Sequence, residues 1–418
     1  MKKWKQLKKT ILASTMVVAM VAIMGMPILA TGLQTGTAGT ITKILEVPQG
    51  VETPAKTFRY TFTKVGIRNA AGVAVSATEQ PTIDNKDIVF TAGFAQTAGT
   101  VIGYNNSTNT NAAILTGITW PHAGEYVYTV AEVDNSGTDS SVTFSKATYE
   151  MTVYVKNVDL SVNNDVVVTN VGFRKITNDD GTPVAAVVGG VDDGKQPKAD
   201  PIFTNRYKKF VKLDISKKVA GAFADTTKDF TFTPSFVRPV DTTAVTSVGT
   251  VIGADGVATT RTVTVTFAAN STVGSITTVP ATAEGTFTLK HGEKIVFEGV
   301  NSSLDTFQKG NLPAGTIWTI AETGAPGYTA TAVVNNNDGA GTAVLGGTAG
   351  DNLSISEVPV GTNLVAGEKT NAAAFTNTYQ DITPTGVLIN NLPYILLIVV
   401  AMAGFTGYIV SKRRKNAR

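Results

Sequence analysis

The sequence predicts an all-β fold of two tandem β-sandwich domains, with a signal peptide before them and a transmembrane helix after them. Alternating or β-branched runs recur throughout, such as residues 126–130 (YVYTV) and 261–267 (RTVTVTF), and turn clusters such as 335–339 (NNNDG) separate them. No amphipathic helical period persists between the two ends of the chain. The exported part is also long enough for about two domains of ordinary size.

Internal repeats divide the exported part into two halves. FTNRY at 203–207 recurs as FTNTY at 375–379, and YTVAE at 128–132 recurs as WTIAE at 318–322. ITK at 41–43 likewise recurs as ISK at 215–217. These repeats predict a first domain over residues 31–207 and a second over 208–380. Few glycines or prolines lie between residues 205 and 215, so we expect a short and fairly stiff junction.

The N-terminus has the pattern of a secretory signal peptide. Residues 1–9 contain five lysines and no acid, and residues 11–30 are almost wholly apolar and end in a small residue. A retained membrane anchor is the alternative for the same stretch. We predict a signal peptide over residues 1–30 and therefore export of the chain.

The C-terminal sequence predicts a membrane span followed by a basic tail on the cytoplasmic side. Residues 392–410 carry no charge, and at about 1.5 Å per residue they are long enough for a hydrocarbon core. Basic residues follow at once. Because basic residues stay on the cytoplasmic side of a membrane, they place this end inside the cell and the rest of the chain outside it. We assign residues 387–418 to the span and its basic tail.

The hexapeptide DITPTG at 381–386 resembles a cell-wall sorting signal of the LPxTG kind, because an apolar span and a basic tail follow it. In that family a sortase cleaves between threonine and glycine and joins the threonine carbonyl to an amine, which implies processing between Thr385 and Gly386. The proline lies one place later than in the standard motif, which leaves the type of sortase open.

Charge and composition exclude several functions. The whole chain has a formal net charge of +3, and its two ends hold ten basic residues and no acid, which leaves −7 for the exported part. A mildly acidic surface argues against nucleic-acid binding. With no cysteine and two histidines, neither a disulfide framework nor a zinc-type site is expected, and no cofactor is implied.

Each half contains a lysine early, a glutamate in the middle and an asparagine late. Strand side chains alternate between faces, which puts each of these on the face that carries aromatic and aliphatic neighbours. Buried polar groups need partners, so the three should meet. The predicted trios are Lys43, Glu132, Asn205 and Lys217, Glu322, Asn377.

Such a trio could form an isopeptide bond. Burial lowers the pKa of a lysine and raises that of a glutamate, which yields a nucleophilic amine and a proton shuttle. The amine attacks the asparagine carboxamide, glutamate moves the protons, and ammonia leaves. The alternative is a buried polar cluster without a bond. Lys218 and Lys212 neighbour Lys217, but Lys218 falls on the opposite face of the strand.

Both halves resemble the streptococcal pilin isopeptide-linkage domain of Gram-positive major pilins. The second half carries the family's opening at 213–221 (LDISKKVAG), its middle at 312–315 (LPAG) and its end at 375–379. The first half is looser at its opening. The resemblance implies immunoglobulin-like sandwiches, the two trios as bonding sites with Glu132 and Glu322 as autocatalytic residues, and an exposed lysine that accepts Thr385 of the next subunit. By position Lys198 fits that role, with Lys195 and Lys156 as rivals.

Three classes of function follow. The first is the structural subunit of a covalently polymerised pilus, secreted, anchored to the Gram-positive cell wall and partnered by sortase, neighbouring pilin subunits and peptidoglycan. The second is a singly wall-anchored adhesin or minor pilin that binds a host ligand. The third, an extracellular enzyme, lacks a nucleophile–histidine–acid set, a metal-ligand set and a phosphate loop in the sequence. The sequence favours the pilus subunit and predicts no enzyme activity.

Overall fold

The structure is a computed structural model that describes ten stretches of the chain. The described residues are 33–35, 39–68, 73–75, 77–158, 166–189, 194–282, 285–298, 311–337, 341–380 and 384–415. The predicted signal peptide (1–30) and residues 381–383 of the predicted sorting motif lie outside them.

The described residues are mostly β-structure in two compact units, which confirms the predicted fold class. Among the described residues, the first unit comprises those up to 45, 54–95 and 107–206, and the second comprises the others.

The first half of the chain contains twelve strands and a 3₁₀ turn at Ala77–Glu79 within its described residues. The strands are β1 (Leu33–Thr35), β2 (Ile41–Pro48), β3 (Lys56–Arg68), β4 (Ala74–Val75), β5 (Lys86–Phe90), β6 (Thr97–Ala98), β7 (Tyr104–Asn111), β8 (Gly124–Glu132), β9 (Val142–Thr143), β10 (Thr148–Asn157), β11 (Val166–Thr177) and β12 (Ile202–Tyr207).

These strands form two sheets. One has the order β1-β11-β10-β8-β3-β4, with β5 paired to β3, and the other has the order β6-β7-β2-β12-β9. Burial alternates along the strands, as the period-two pattern of the sequence requires; β12, for example, buries every second residue. The buried faces carry the aromatic core, including Phe58, Tyr60 and Phe203.

The second half contains fourteen strands within its described residues. They are β13 (Phe210–Val211), β14 (Leu213–Ala220), β15 (Phe230–Val237), β16 (Val245–Ile252), β17 (Ala258–Phe267), β18 (Ser275–Val279), β19 (Phe287–Leu289), β20 (Lys294–Phe297), β21 (Leu312–Pro313), β22 (Ile317–Glu322), β23 (Tyr328–Asn336), β24 (Thr342–Leu345), β25 (Leu353–Ile355) and β26 (Asn371–Tyr379).

An eight-stranded sheet and a four-stranded sheet account for most of these strands. The larger has the order β18-β17-β16-β20-β14-β26-β23-β24, the smaller has the order β19-β15-β22-β25, and β13 pairs with β21. Strands β14 and β26 run parallel, with Val219 opposite Asn377. The first long strand of this half therefore lies directly beside its last strand.

One helix, α1 (Pro384–Lys415), closes the described chain. Its segment Tyr394–Lys412 is 19 residues long and apolar enough to cross a membrane, and it is not buried against the rest of the chain. This helix fits the predicted transmembrane anchor. The backbone of Thr385 and Gly386 lies at the beginning of α1.

Candidate functional site: two buried lysine–glutamate–asparagine clusters

The first cluster is supplied by both sheets of the first half. Lys43 on β2 and Asn205 on β12 come from neighbouring strands of one sheet, and Glu132 ends β8 of the other sheet. Each occupies a buried position in the alternation of its strand. The structure thus brings together the three residues of the first predicted trio.

Glu132 bridges the other two residues of this cluster. Lys43 Nζ donates to Glu132 Oε2 at 2.5 Å, and Asn205 Nδ2 donates to Glu132 Oε1 at 2.5 Å. The side chains of Lys43 and Glu132 are both 0% exposed. One carboxyl group therefore holds the amine and the carboxamide together in a site without water contact.

Burial sets the protonation of this pair. It lowers the pKa of Lys43 to about 8, against the opposing attraction of Glu132, and it raises the pKa of Glu132. Both shifts favour the neutral amine and the neutral acid.

Aromatic rings enclose the amine and the carboxyl group. Lys43 Nζ lies 4.5 Å from the centroid of the Phe58 ring. Tyr60 stands directly opposite Glu132 in the β3–β8 pairing, and its ring lies 4.9 Å from that of Phe203. Burial, followed by the charge of Glu132, raises the pKa of Tyr60. These rings supply the low-dielectric surroundings that produce the shifts in the pKa of Lys43 and Glu132.

Two further residues complete the first cluster, and sequence reasoning missed both. The backbone N–H of Ser145 donates to Asn205 Oδ1 at 2.6 Å. Ser145 Oγ in turn donates to Asp179 Oδ1 at 2.5 Å, and this oxygen also accepts the N–H of Thr204 at 2.8 Å. Neither residue belongs to a motif repeated in the second half, so the comparison of repeats offered no signal for them.

The second cluster has the same plan in the second half. Lys217 on β14 and Asn377 on β26 belong to one sheet, and Glu322 ends β22 of the other sheet, opposite Phe232 of β15. The side chain of Lys217 is 0% exposed and that of Glu322 is 1% exposed. The structure thus also brings together the second predicted trio.

Hydrogen bonding in the second cluster converges on one carboxyl oxygen. Lys217 Nζ and Asn377 Nδ2 both donate to Glu322 Oε1, each at 2.6 Å. Burial lowers the pKa of Lys217 to about 8 and raises that of Glu322. The ring of Phe230 lies 4.1 Å from Lys217 Nζ. The amine is therefore enclosed, and burial favours its neutral form, as in the first cluster.

Two lysines near Lys217 in the sequence, Lys218 and Lys212, are exposed rather than buried in the second cluster. Lys218 is exposed on the other face of the strand, as the alternation predicts. Lys212 is paired at the surface with Glu298 at 3.3 Å and with Asp214 at 3.7 Å. Lys217 is thus the lysine that contacts Glu322.

The three lysines considered as acceptors for polymerisation are all exposed: Lys156, Lys195 and Lys198. Lys156 lies within β10. Lys198 lies on a segment that runs beside β11, where it forms an isolated antiparallel bridge with Arg174. It precedes β12 by a few residues. No group of histidine, cysteine, aspartate or glutamate side chains in the described stretches could hold a metal ion.

Each cluster contains the groups needed for amide formation. The lysine amine and the asparagine carboxamide are the reactants, and the glutamate carboxyl group that both contact can carry protons between them. Fixed proximity replaces an encounter in solution, and the neutral amine is the nucleophilic form. A protonated glutamate can polarise the carboxamide and give a proton to the leaving ammonia. The arrangement in both halves is therefore competent for a single, self-directed bond-forming step.

Comparison with known proteins agrees with this geometry. Residues 39–208 match the family model described as a Spy0128-like isopeptide containing domain (FctA), and residues 211–379 match that of a domain of unknown function, DUF7601. No curated protein matches the chain.

Solved structures of pilus proteins also align with this chain, at low identity and low TM-score. The major pilin from Streptococcus pyogenes is 19% identical over 83% of this chain and 99% of its own, with a TM-score of 0.30. The major pilin protein T3.2 from Streptococcus pyogenes is 16% identical over 84% of this chain and 100% of its own, with a TM-score of 0.35. A pilus-presented adhesin is 15% identical over 56% of this chain and 37% of its own, with a TM-score of 0.22.

The fold and the two clusters define a tandem β-sandwich protein in which each domain buries a lysine, a glutamate and an asparagine together. Its first domain matches the model of the Spy0128-like isopeptide-containing family, and the resemblance to Gram-positive pilin domains is confirmed. The second domain matches the model of DUF7601, and its cluster has the same three residue types as the first.

Proposed function

We propose that the protein is a structural subunit of a covalently polymerised pilus on a Gram-positive cell surface. The observation that carries the proposal is the buried contact of lysine, glutamate and asparagine in each domain, within 2.6 Å at every hydrogen bond. In each domain the lysine lies on the first long strand of one sheet and the asparagine on the last strand beside it.

The proposed reaction joins Lys43 to Asn205 and Lys217 to Asn377. Glu132 and Glu322 act once, on their own domains, so no turnover and no enzyme activity toward other molecules are implied. The match of residues 39–208 to an isopeptide-containing domain supports the first bond. The second bond is supported by the equivalent geometry and the equivalent lowering of the lysine pKa.

The ends of the chain supply export and anchoring in this proposal. The signal peptide directs secretion, α1 holds the chain in the membrane, and sortase cleaves between Thr385 and Gly386. Thr385 is then joined to a lysine of the next subunit or to peptidoglycan. The apolar helix at the end of the described chain supports this order of events.

Intact mass tests the bonds directly. Each bond releases one ammonia, so the chain without its signal peptide should weigh about 34 Da less than its sequence, about 17 Da for each domain. Tryptic peptides should contain the two lysine–asparagine links. The full sequence mass would refute both bonds, and a loss of about 17 Da would refute one of them.

Polymerisation is tested in the cell wall. Wall extracts should give a ladder of SDS-resistant multimers, and Lys198→Ala should abolish it while Lys156→Ala and Lys195→Ala do not. All three lysines are exposed, so the three variants are matched in their effect on folding. A single anchored band in the unsubstituted strain would favour the adhesin or minor pilin that binds a host ligand.

A further inference from the structure

The two clusters differ at the oxygen on which negative charge would develop. When an amine attacks a carboxamide carbon, the carbonyl oxygen becomes an oxyanion in the tetrahedral intermediate. In the first domain this oxygen is Asn205 Oδ1, and it accepts the backbone N–H of Ser145 at 2.6 Å. A donor fixed at that position before the reaction stabilises the oxyanion without reorganisation.

The Ser145 N–H is held in place by a buried network. Ser145 is 3% exposed, and its Oγ donates to Asp179 Oδ1 and accepts the N–H of Ala147 at 3.1 Å. The same oxygen of Asp179 accepts the N–H of Thr204, the residue before Asn205. One carboxylate oxygen therefore links the loop that carries the donor to the strand that carries the acceptor.

The second cluster is built differently. Asn377 Oδ1 is buried, and no group among the described residues donates a hydrogen bond to it. Glu322 Oε2 is also buried and accepts no hydrogen bond from the described residues, because Lys217 Nζ and Asn377 Nδ2 both donate to Oε1. An oxyanion formed on Asn377 would therefore have no donor from the described protein except a proton on Glu322.

We infer that the Ser145 N–H is an oxyanion donor for closure of the first bond, that Asp179 is its positioning residue, and that the first domain closes its bond faster than the second. This inference rests on the proposed function. In the step, the bond between Lys43 Nζ and Asn205 Cγ forms and the bond between Cγ and Nδ2 breaks. Glu132 accepts a proton from Nζ and delivers one to Nδ2, which leaves as ammonia.

The test follows both bonds in one molecule. The full chain without its signal peptide is produced in an unfolded, unbonded form, refolded at pH 7 and quenched at intervals in acid. Digestion and mass spectrometry then give the first-order rate of each cross-linked peptide. We expect the Lys43–Asn205 peptide to appear faster than the Lys217–Asn377 peptide, by up to the order of 10²-fold that one oxyanion donor supplies.

Three substitutions separate the donor from its support. Ser145→Pro removes the N–H and should slow the first bond on the order of 10²-fold. Asp179→Ala keeps the N–H but frees the loop, so a smaller slowing is expected. Asp179→Asn retains an oxygen that can accept from Ser145 Oγ and from the N–H of Thr204, so it should restore most of the rate. An effect of the charge of Asp179 would not give this rescue.

The second domain is the internal control, because its bond should form at the same rate in every variant. If Ser145→Pro does not fold, as judged by protease resistance of the first domain, the comparison of Asp179→Ala with Asp179→Asn decides. Equal rates for the two bonds in the unsubstituted chain, or variants that leave the first rate unchanged, would overturn the inference and leave the proposed function standing. If neither peptide appears, the proposed function itself fails.

Discussion

Loss of the proposed second bond should lower the stability of the second domain by an amount that can be worked out from chain length. Lys217 and Asn377 are 160 positions apart in the chain, and closing a loop of about 160 residues removes unfolded-state entropy worth about 5 kcal/mol in the chain-entropy model. A change of 1 kcal/mol shifts the Tm of a domain of this size by about 2–4 °C, so breaking the bond should lower it by about 10–20 °C.

The perturbations for this test are Asn377→Ala and Lys217→Met, which remove the bond from its two sides. Differential scanning calorimetry of the exported chain should show the drop in one of two transitions, and the mass should rise by about 17 Da relative to the bonded chain after correction for the substitution. Lys218→Ala, on the exposed face of the same strand, is the matched control and should change neither quantity.

A specific result would refute this reasoning. If Asn377→Ala and Lys217→Met melt within about 3 °C of the unsubstituted chain, the link contributes no such entropy, since even one lost buried hydrogen bond costs about 1 kcal/mol. The two variants should also show the same fall in Tm. They leave different side chains in the core, so an equal fall would come from the bond that both lack.

Other predictions follow from the same clusters. Glu132→Ala should leave the first bond unformed, so the mass lost by the intact chain should fall from about 34 to about 17 Da. The cross-linked peptide of the second domain should still form and is the control. The rate of forming either bond should follow a bell-shaped pH profile, because the lysine and glutamate of the reactive state share one proton. The rate should fall above about pH 8, where that proton is lost. A rate that continues to rise would contradict the role of the glutamate as an acid. Burial lowers the pKa of Lys217 in the folded chain to about 8, below its ordinary value of 10.5, and burial should lower it likewise in unbonded Asn377→Ala. The unfolded chain then binds more protons between those values, so denaturant titrations should show stability rising from pH 8 to 10.

Much of the fold and the reactive trios could be predicted from the sequence because period-two alternation is a local property. Lys217 and Lys218 illustrate this, since the pleat of a single strand places one in the core and the other in solvent. Repeated motifs then indicated which residues of distant strands belong to one site. The direction of the lysine pKa shifts followed from burial alone.

The supporting residues could not be predicted in the same way. Ser145 acts through its backbone N–H, which every residue except proline possesses, so its identity carries no signal. Asp179 reaches the cluster through Ser145 and Thr204, contacts that depend on how a loop of one sheet meets a strand of the other. Neither has an equivalent in the motifs of the second half, and a comparison of repeats finds only what the two domains share.

The position of the proposed second bond determines what such a bond would do under tension. Strands β14 and β26 are parallel neighbours, so a pull on the start of β14 and the end of β26 loads their hydrogen bonds in shear. A link between Lys217 and Asn377 spans this pair of strands and carries the load covalently, which leaves the residues between them outside the force path. In single-molecule pulling the second domain should therefore show no extension step, whereas Lys217→Met should release roughly 540 Å of chain at about 3.4 Å per residue. A step of that length in the unsubstituted protein would mean that the strands are not joined, whatever their geometry in the folded state.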